Sequence, residues 1–344
     1  MKNLKLINLL LIVATSLLLV NCTTEPIYPE GAAGADGIDG IDGTNGKDGA
    51  TGTTECAACH NVGKSEAVHA SYLFSGHAAG GAVGYAGSRA SCAQCHSNEG
   101  YVDYVTTGVT TDYENPTAIS CKTCHDTHTT FDFENEGYDY ALRSIGPVQL
   151  IADASYTIDY KGTSNNCAQC HQPRRSPPTA DEDGNFAVTS SHWGPHHGPQ
   201  STLLEGIQGA EIAGTLEYPS VGSASHRTGS SCTSCHMGAT SGETDGEHTW
   251  IPTSTACTEC HTAGIPNDGK GATGIVEGME TLHQLLEEAG ILNGGHPHEG
   301  TYPIVVAEGA WNYLLLLEDA SKGTHNPKYA KALLNNSIEA LSAD

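Results

Sequence analysis

Positive charge, aromatic rings and methionine are all scarce in this chain of 344 residues. Lys and Arg number 15 against 40 Asp and Glu, giving a formal net charge of −25. A chain so short of cations has no electrostatic footprint for nucleic acid or for an anionic lipid surface, and its field favours basic partners. Aromatic residues make up 6% of the sequence and apolar residues 38%, while Gly reaches 41 residues. The length suits one large domain or two modest ones, yet the supply of core-forming side chains is thin. Such a chain is either partly disordered or built around something that is not amino acid.

Cysteine is what the sequence has instead. Of 13 cysteines, 12 fall in six copies of C-x-x-C-H. The first three are Cys56-x-x-Cys59-His60, Cys92-x-x-Cys95-His96 and Cys121-x-x-Cys124-His125. The others are Cys167-x-x-Cys170-His171, Cys232-x-x-Cys235-His236 and Cys257-x-x-Cys260-His261. Two thiols three positions apart can each form a thioether with one vinyl group of a haem, and the adjacent histidine then supplies the proximal nitrogen to the iron. Zinc ligand sets pair two such motifs and need no His after each. A redox-active C-x-x-C is usually single. Disulfides suit an exported protein, but they give no reason for six His at one offset. The motifs therefore predict six covalent haem c groups, with the six following histidines as proximal ligands.

Ahead of the motifs, Lys2 and Lys5 precede an apolar run over residues 6–20, broken by Asn8. This is an export signal, too short for a comfortable membrane span. Cys22 is the one cysteine outside the motifs and sits where bacterial lipoproteins carry their lipid. Residues 1–21 are read as a lipoprotein signal peptide; a plain signal peptide or an uncleaved anchor is the other reading. Glycine recurs at every third position from Gly31 to Gly52, a collagen-like period. Short and without proline, it reads as a polar spacer, with a trimeric stalk, and hence an oligomer, as the second reading. The expected organisation is a signal at 1–21, a lipidated spacer at 22–54, a hexahaem region at 55–272 and a C-terminal helical segment at 273–344 packing on it. The expected location is the outer membrane, held by the lipid anchor and facing the periplasm or the cell surface.

Over roughly residues 55–344 the motifs resemble those of the bacterial multihaem c-type cytochromes. The resemblance implies a mainly α fold with extensive irregular loops wrapped around a chain of covalent haems. Each macrocycle is a large apolar plate that makes good the missing core. Intervals between first cysteines are 36, 29, 46, 65 and 25 residues, too uneven for a solenoid repeat.

Each iron needs a sixth ligand unless its haem is a catalytic site. Methionine is nearly excluded by supply: Met1, Met237 and Met279 are all there is. Histidine is plentiful, with 18 in all. His77, in a "SGHA" segment, and His128, in "CHDTHT", resemble distal-ligand positions of the family, with His69 an alternate to the first. In "SHWGPHHGPQ" the favoured ligand is His196, with His192 and His197 as alternates. His226 and His248 resemble family ligand positions flanking the fifth motif. His283 falls in a surface helix, and His296 and His298 in a Gly-rich loop.

After the last motif, Ile275, Met279, Leu282 and Leu286 recur at helical spacing, with Gly290 as a stop. A second helix is expected from about Ile304 to Ser321, and a third opens with Asn326 as N-cap and Pro327 in its first turn. "GTHNP" ahead of that helix resembles the C-terminal helices of pentahaem nitrite reductases and related octahaem enzymes, where a histidine at this place ligates a haem. That makes His325 the sixth distal candidate. No motif has Lys in place of His, unlike the pentahaem enzymes, and no catalytic residue is assigned. The expected function is electron transfer to and from redox partner proteins or other cytochromes. A reductase of nitrite or hydroxylamine, with one open haem site, and a subunit of an extracellular cytochrome filament are the alternatives.

Overall fold

A computed structural model describes residues 54–240 and 244–343. The signal, Cys22 and the glycine-repeat spacer lie outside the described residues. From Thr54 onward the chain forms one unit.

Every C-x-x-C-H motif has its first cysteine on a short helix, and the fourth and sixth motifs run on past the helix end. These are α1 (Thr54–Cys59), α3 (Ala90–His96), α5 (Cys121–Cys124), α6 (Ser164–Ala168), α7 (Cys232–His236) and α8 (Ser254–Thr258). One helical turn is what the spacing requires, because residues i and i+3 share a helix face and so bring both thiols of a motif to one side. The turn is closed by the motif histidine itself. The backbone N–H of His60, His125, His171 and His261 donates to the carbonyl of the first cysteine of its motif at 2.8, 2.8, 3.0 and 2.9 Å. Helix α2 (Val62–Leu73) follows the first motif and buries none of its residues.

Helix α4 (Asn98–Thr107) starts immediately after α3 and ties three motifs together. Its first turn is capped by Ser97, whose hydroxyl accepts from Gly100 N at 3.1 Å. Gly100 lies directly on α3. A Cβ there would come within 2.4 Å of Ala93, inside the second motif, so only glycine permits this crossing. Asn98 Oδ1 accepts from Thr123 of the third motif at 2.7 Å, and the buried Tyr101 hydroxyl donates to Asn166 beside the fourth at 2.5 Å. The residues between the cysteines make further links. Gln94 Nε2 donates to Gln169 O at 3.1 Å, and Thr233 Oγ1 lies 2.9 Å from Thr163 Oγ1.

The side-chain core lies at the C-terminal end. Helices α9 (Ile275–Glu288), α10 (Ile304–Asp319) and α11 (Pro327–Ser342) bury Leu282, Leu286, Trp311, Leu315, Leu333 and Leu334 against one another. Asn326 caps α11, accepting from Tyr329 N at 3.2 Å, and Pro327 occupies the first turn, where its missing N–H costs nothing. α10 ends two residues sooner than its apolar pattern suggests, at a left-handed Ala320. Two buried asparagines strap an extended segment to this core. Asn312 exchanges hydrogen bonds with both the N–H and the carbonyl of Ala210 at 2.8 Å, and Asn336 Nδ2 donates to Leu216 O at 2.8 Å. A second, smaller cluster gathers Val148, Leu150, Ile158, Tyr160, Leu204 and Ile207.

Strands are few and short among the described residues. β1 (Val148–Gln149) pairs with β2 (Thr157–Ile158), β3 (Asn185–Val188) with β6 (Gly300–Pro303), and β4 (Leu292–Asn293) with β5 (His296–Pro297), all antiparallel. His296 therefore sits in a strand and not in the loop its glycine neighbours suggest. No helix among the described residues is long and apolar enough to cross a membrane.

Candidate haem-binding site

Six histidine pairs define the site. Ring centres of His60 and His128 are 5.9 Å apart, those of His96 and His196 6.0 Å, and those of His77 and His171 6.2 Å. The remaining pairs are His125 with His248 at 6.3 Å, His226 with His261 at 6.1 Å, and His236 with His325 at 6.2 Å. Each pair joins one motif histidine to one histidine from elsewhere, and none is used twice. The separation has a physical meaning. An imidazole nitrogen binds a metal at about 2.0 Å and lies about 1.1 Å from its own ring centre, so two rings on opposite sides of one iron are about 6.2 Å apart.

One continuous cavity of about 2350 Å³ contacts all twelve of these histidines and eleven of the twelve motif cysteines. Single-ligand pockets run to roughly 300–1,000 Å³, so this space is several ligand sites fused. Motif thiols approach neighbouring motifs inside it. Cys170 Sγ lies 3.5 Å from Gln94 O of the second motif, and Cys232 Sγ of the fifth lies 4.0 Å from Ser164 O, on the helix that opens the fourth.

The second nitrogen of a ligating imidazole needs an acceptor to fix its ring and tautomer. Six of the twelve have one. Nδ1 of His125 lies 2.8 Å from Tyr140 O, that of His236 2.8 Å from Trp250 O, and that of His226 2.6 Å from Thr324 O. His171 Nδ1 is 3.0 Å from Gln200 Oε1. His128 and His325 instead meet carboxylates, Asp139 at 2.6 Å and Asp319 at 2.5 Å. In every case Nδ1 is engaged and Nε2 is left for a metal. His196 makes the same point from the other side, since its Nε2 is buried with no hydrogen-bond partner.

Burial favours the neutral, ligating form at six of these twelve rings. Burial, helped by the nearby His171, pushes His77 down to about 4. Burial, then Arg174 and His197, pushes His196 down to about 4 as well. His96, His171, His236 and His248 are also lowered, in each case chiefly by burial. His325 is shifted the other way. Burial acts to lower it, but the Asp319 carboxylate outweighs that and holds it above its ordinary value.

None of the alternates faces a motif histidine. His197 turns its Nδ1 to Glu318 at 2.6 Å and is exposed, whereas His196 adopts a left-handed backbone (φ 72°) that aims it at His96. Strain of this kind persists where the surroundings over-determine it. His192 is exposed and does not line the cavity; His69 lines it but stacks on Tyr72 at 6.5 Å, with no motif histidine opposite. His283 stacks on Tyr313, and His298 Nδ1 is 3.3 Å from the Tyr302 hydroxyl. Three residues that carry weight here escape a reading of motifs: Asp139, Asp319 and Trp250. Trp250 packs edge-on against His77 at 4.6 Å and against His248 at 5.4 Å while its carbonyl holds His236. Its place two residues after His248 was the one available signal.

Residues 77–172, which hold three of the six motifs, match the family described as cytochrome c7 and related cytochrome c. The fold is similar to that of the outer cell wall cytochrome OcwA, with a TM-score of 0.51 and 21% identity over 79% of this chain and 50% of that one. It is a multihaem cytochrome c fold. The chain spans about half the length of OcwA, and no curated protein matches it. A cytochrome of this kind carries haem covalently, and the donor set fits that group: paired thiols on one helix face, an imidazole behind them and a second imidazole across a shared cavity. Iron held between two imidazoles has no potential-raising methionine.

Proposed function

We propose that the protein carries electrons through six covalently bound, bis-histidine haems c, at the outer membrane or cell surface. The observation that carries this reading is the pairing of every motif histidine with a second histidine at 5.9–6.3 Å. With both axial positions filled by protein, iron changes oxidation state without gaining or losing a ligand. Bound haem supplies one-electron chemistry. The residues do the rest: twelve cysteines fix the groups, twelve imidazoles hold the irons, and Nδ1 acceptors lock six of the rings. A direct bond between the second and fourth motifs, and bonds from the third and fifth motifs to Asn98 and Thr163 beside them, support close haem spacing. In this reading residues 55–272 hold the haems and residues 273–344 clamp them through His325. The export signal directs it out of the cytoplasm, the Cys22 lipid tethers it, and redox proteins are its partners. The outer cell wall location of OcwA supports a surface role.

Mass spectrometry and electron paramagnetic resonance of the oxidised protein test this together. Six attached haems, all low-spin ferric, are expected. A high-spin signal that responds to nitrite or hydroxylamine would overturn the carrier reading in favour of a reductase.

A further inference from the structure

The twelve imidazoles are not held alike. Four of the six engaged Nδ1 atoms meet neutral acceptors, the carbonyls of Tyr140, Trp250 and Thr324 and the amide of Gln200. The other two meet carboxylates, and these serve different sites. Asp139 holds His128, opposite His60; Asp319 holds His325, opposite His236. Both carboxylates are built in. The Asp319 side chain is 0% exposed and also accepts from the Ser321 hydroxyl and backbone N–H. Asp139 is 11% exposed and accepts from Thr129 N at 2.6 Å, Thr129 Oγ1 at 2.9 Å and Ala141 N at 2.9 Å. Neither carboxylate has a Lys or Arg partner among the described ion pairs.

A carboxylate on Nδ1–H makes the imidazole a stronger donor and places a negative charge close to the iron, and both effects favour the ferric form. Opposite charge sits at a third site. Arg174 Nη1 lies 3.9 Å from Cys92 Sγ, in the motif of the His96–His196 pair, where neither ring has a described carboxylate partner.

Resting on the six-haem reading, we propose that Asp139 and Asp319 are positioning residues that make the His60–His128 and His236–His325 sites the two lowest-potential sites of the six. Arg174 acts in the opposite sense on the His96–His196 site. The potentials are then staggered by three fixed charges although all six ligand sets are alike.

The test is a potentiometric titration of the full-length holoprotein, followed by visible and paramagnetic resonance spectra. Asp139→Asn and Asp319→Asn keep an oxygen on Nδ1 and remove the charge. Each is expected to shift the reduction equilibrium of one haem at least tenfold toward the ferrous form, about 59 mV for one electron. Each Asp→Glu variant returns it toward wild type, and Arg174→Gln moves a different haem the other way. Unchanged titrations in both Asn variants overturn the proposal. So does a uniform shift of all six haems, or loss of the low-spin signal in both, because the carboxylates would then act only as general charge or as props for the ring. Failure of the six-haem reading shows separately, as a wild-type protein with fewer than six low-spin haems.

Discussion

Removing the His325 ring should open one iron and only one. The ring faces His236 at 6.2 Å and is presented from the elbow between α10 and α11, with Asn326 and Pro327 fixing the helix that follows. In His325→Ala no neighbouring ring can take its place, because the other five distal candidates each face a different motif histidine. One haem in six should therefore turn from low to high spin, with five unchanged. Stability should fall too. In the six-haem reading an iron bridge joins residues 236 and 325, and a cross-link closing a loop of that length is worth about 4–5 kcal/mol by chain entropy. The fully buried Asp319 also loses its imidazole partner, which adds a desolvation penalty of order 1–3 kcal/mol. Spin quantitation of the ferric protein and a thermal melt measure the two effects. His192→Ala, an exposed residue off the cavity, serves as the control. The reasoning is refuted if the His325→Ala spectrum stays wholly low-spin, or if more than one haem converts.

Three further outcomes follow from the packing. Gly100→Ala pushes a methyl group into Ala93 of the second motif and should cost about 1–3 kcal/mol, read as a lower unfolding midpoint in denaturant. Arg227→Ala strips the partner from Glu205, paired at 2.6 Å and nearly buried, and should cost about 3 kcal/mol in the same assay, more than an exposed pair would. Glu99 is held below its ordinary value of 4.5; burial opposes this, but hydrogen bonds from Thr117 prevail. Its folded value being the lower, the stabilisation is present above 4.5 and is lost as pH falls through the folded value. Glu99→Gln should flatten the acid limb of the melting temperature between neutral pH and pH about 3, and an identical slope in the variant would contradict this.

The sequence exposes its chemistry more readily than its geometry. Thiol pairs and the histidines beside them are written in consecutive residues, and the tail helices announce themselves by a 3.6-residue apolar period, as at Ile275, Met279, Leu282 and Leu286. Partnership is different. His125 faces His248, 123 residues away, and His77 faces His171, 94 residues away, and no local pattern encodes either distance. Between His196 and His197 the choice turns on a left-handed backbone at one and a Glu318 acceptor for the other, both products of tertiary packing. Asp139 and Asp319 look like ordinary members of an acidic surface until the fold brings them to an imidazole. The β3–β6 ladder joins residues more than 110 positions apart and leaves no alternation long enough to read.

The interleaving of the six pairs also sets a timetable for synthesis. Ordered by their later members, the pairs finish at His128, His171, His196, His248, His261 and His325. As the chain is made from its N-terminus, the third motif is complete at residue 125 but waits for His248 while a fourth and a fifth motif are produced. A nascent chain of 200 residues would hold four motifs and only three closed pairs. His125 is thus the imidazole left longest without its opposite number, and in the six-haem reading the haem on the third motif is the one most exposed to a foreign ligand before the protein is finished.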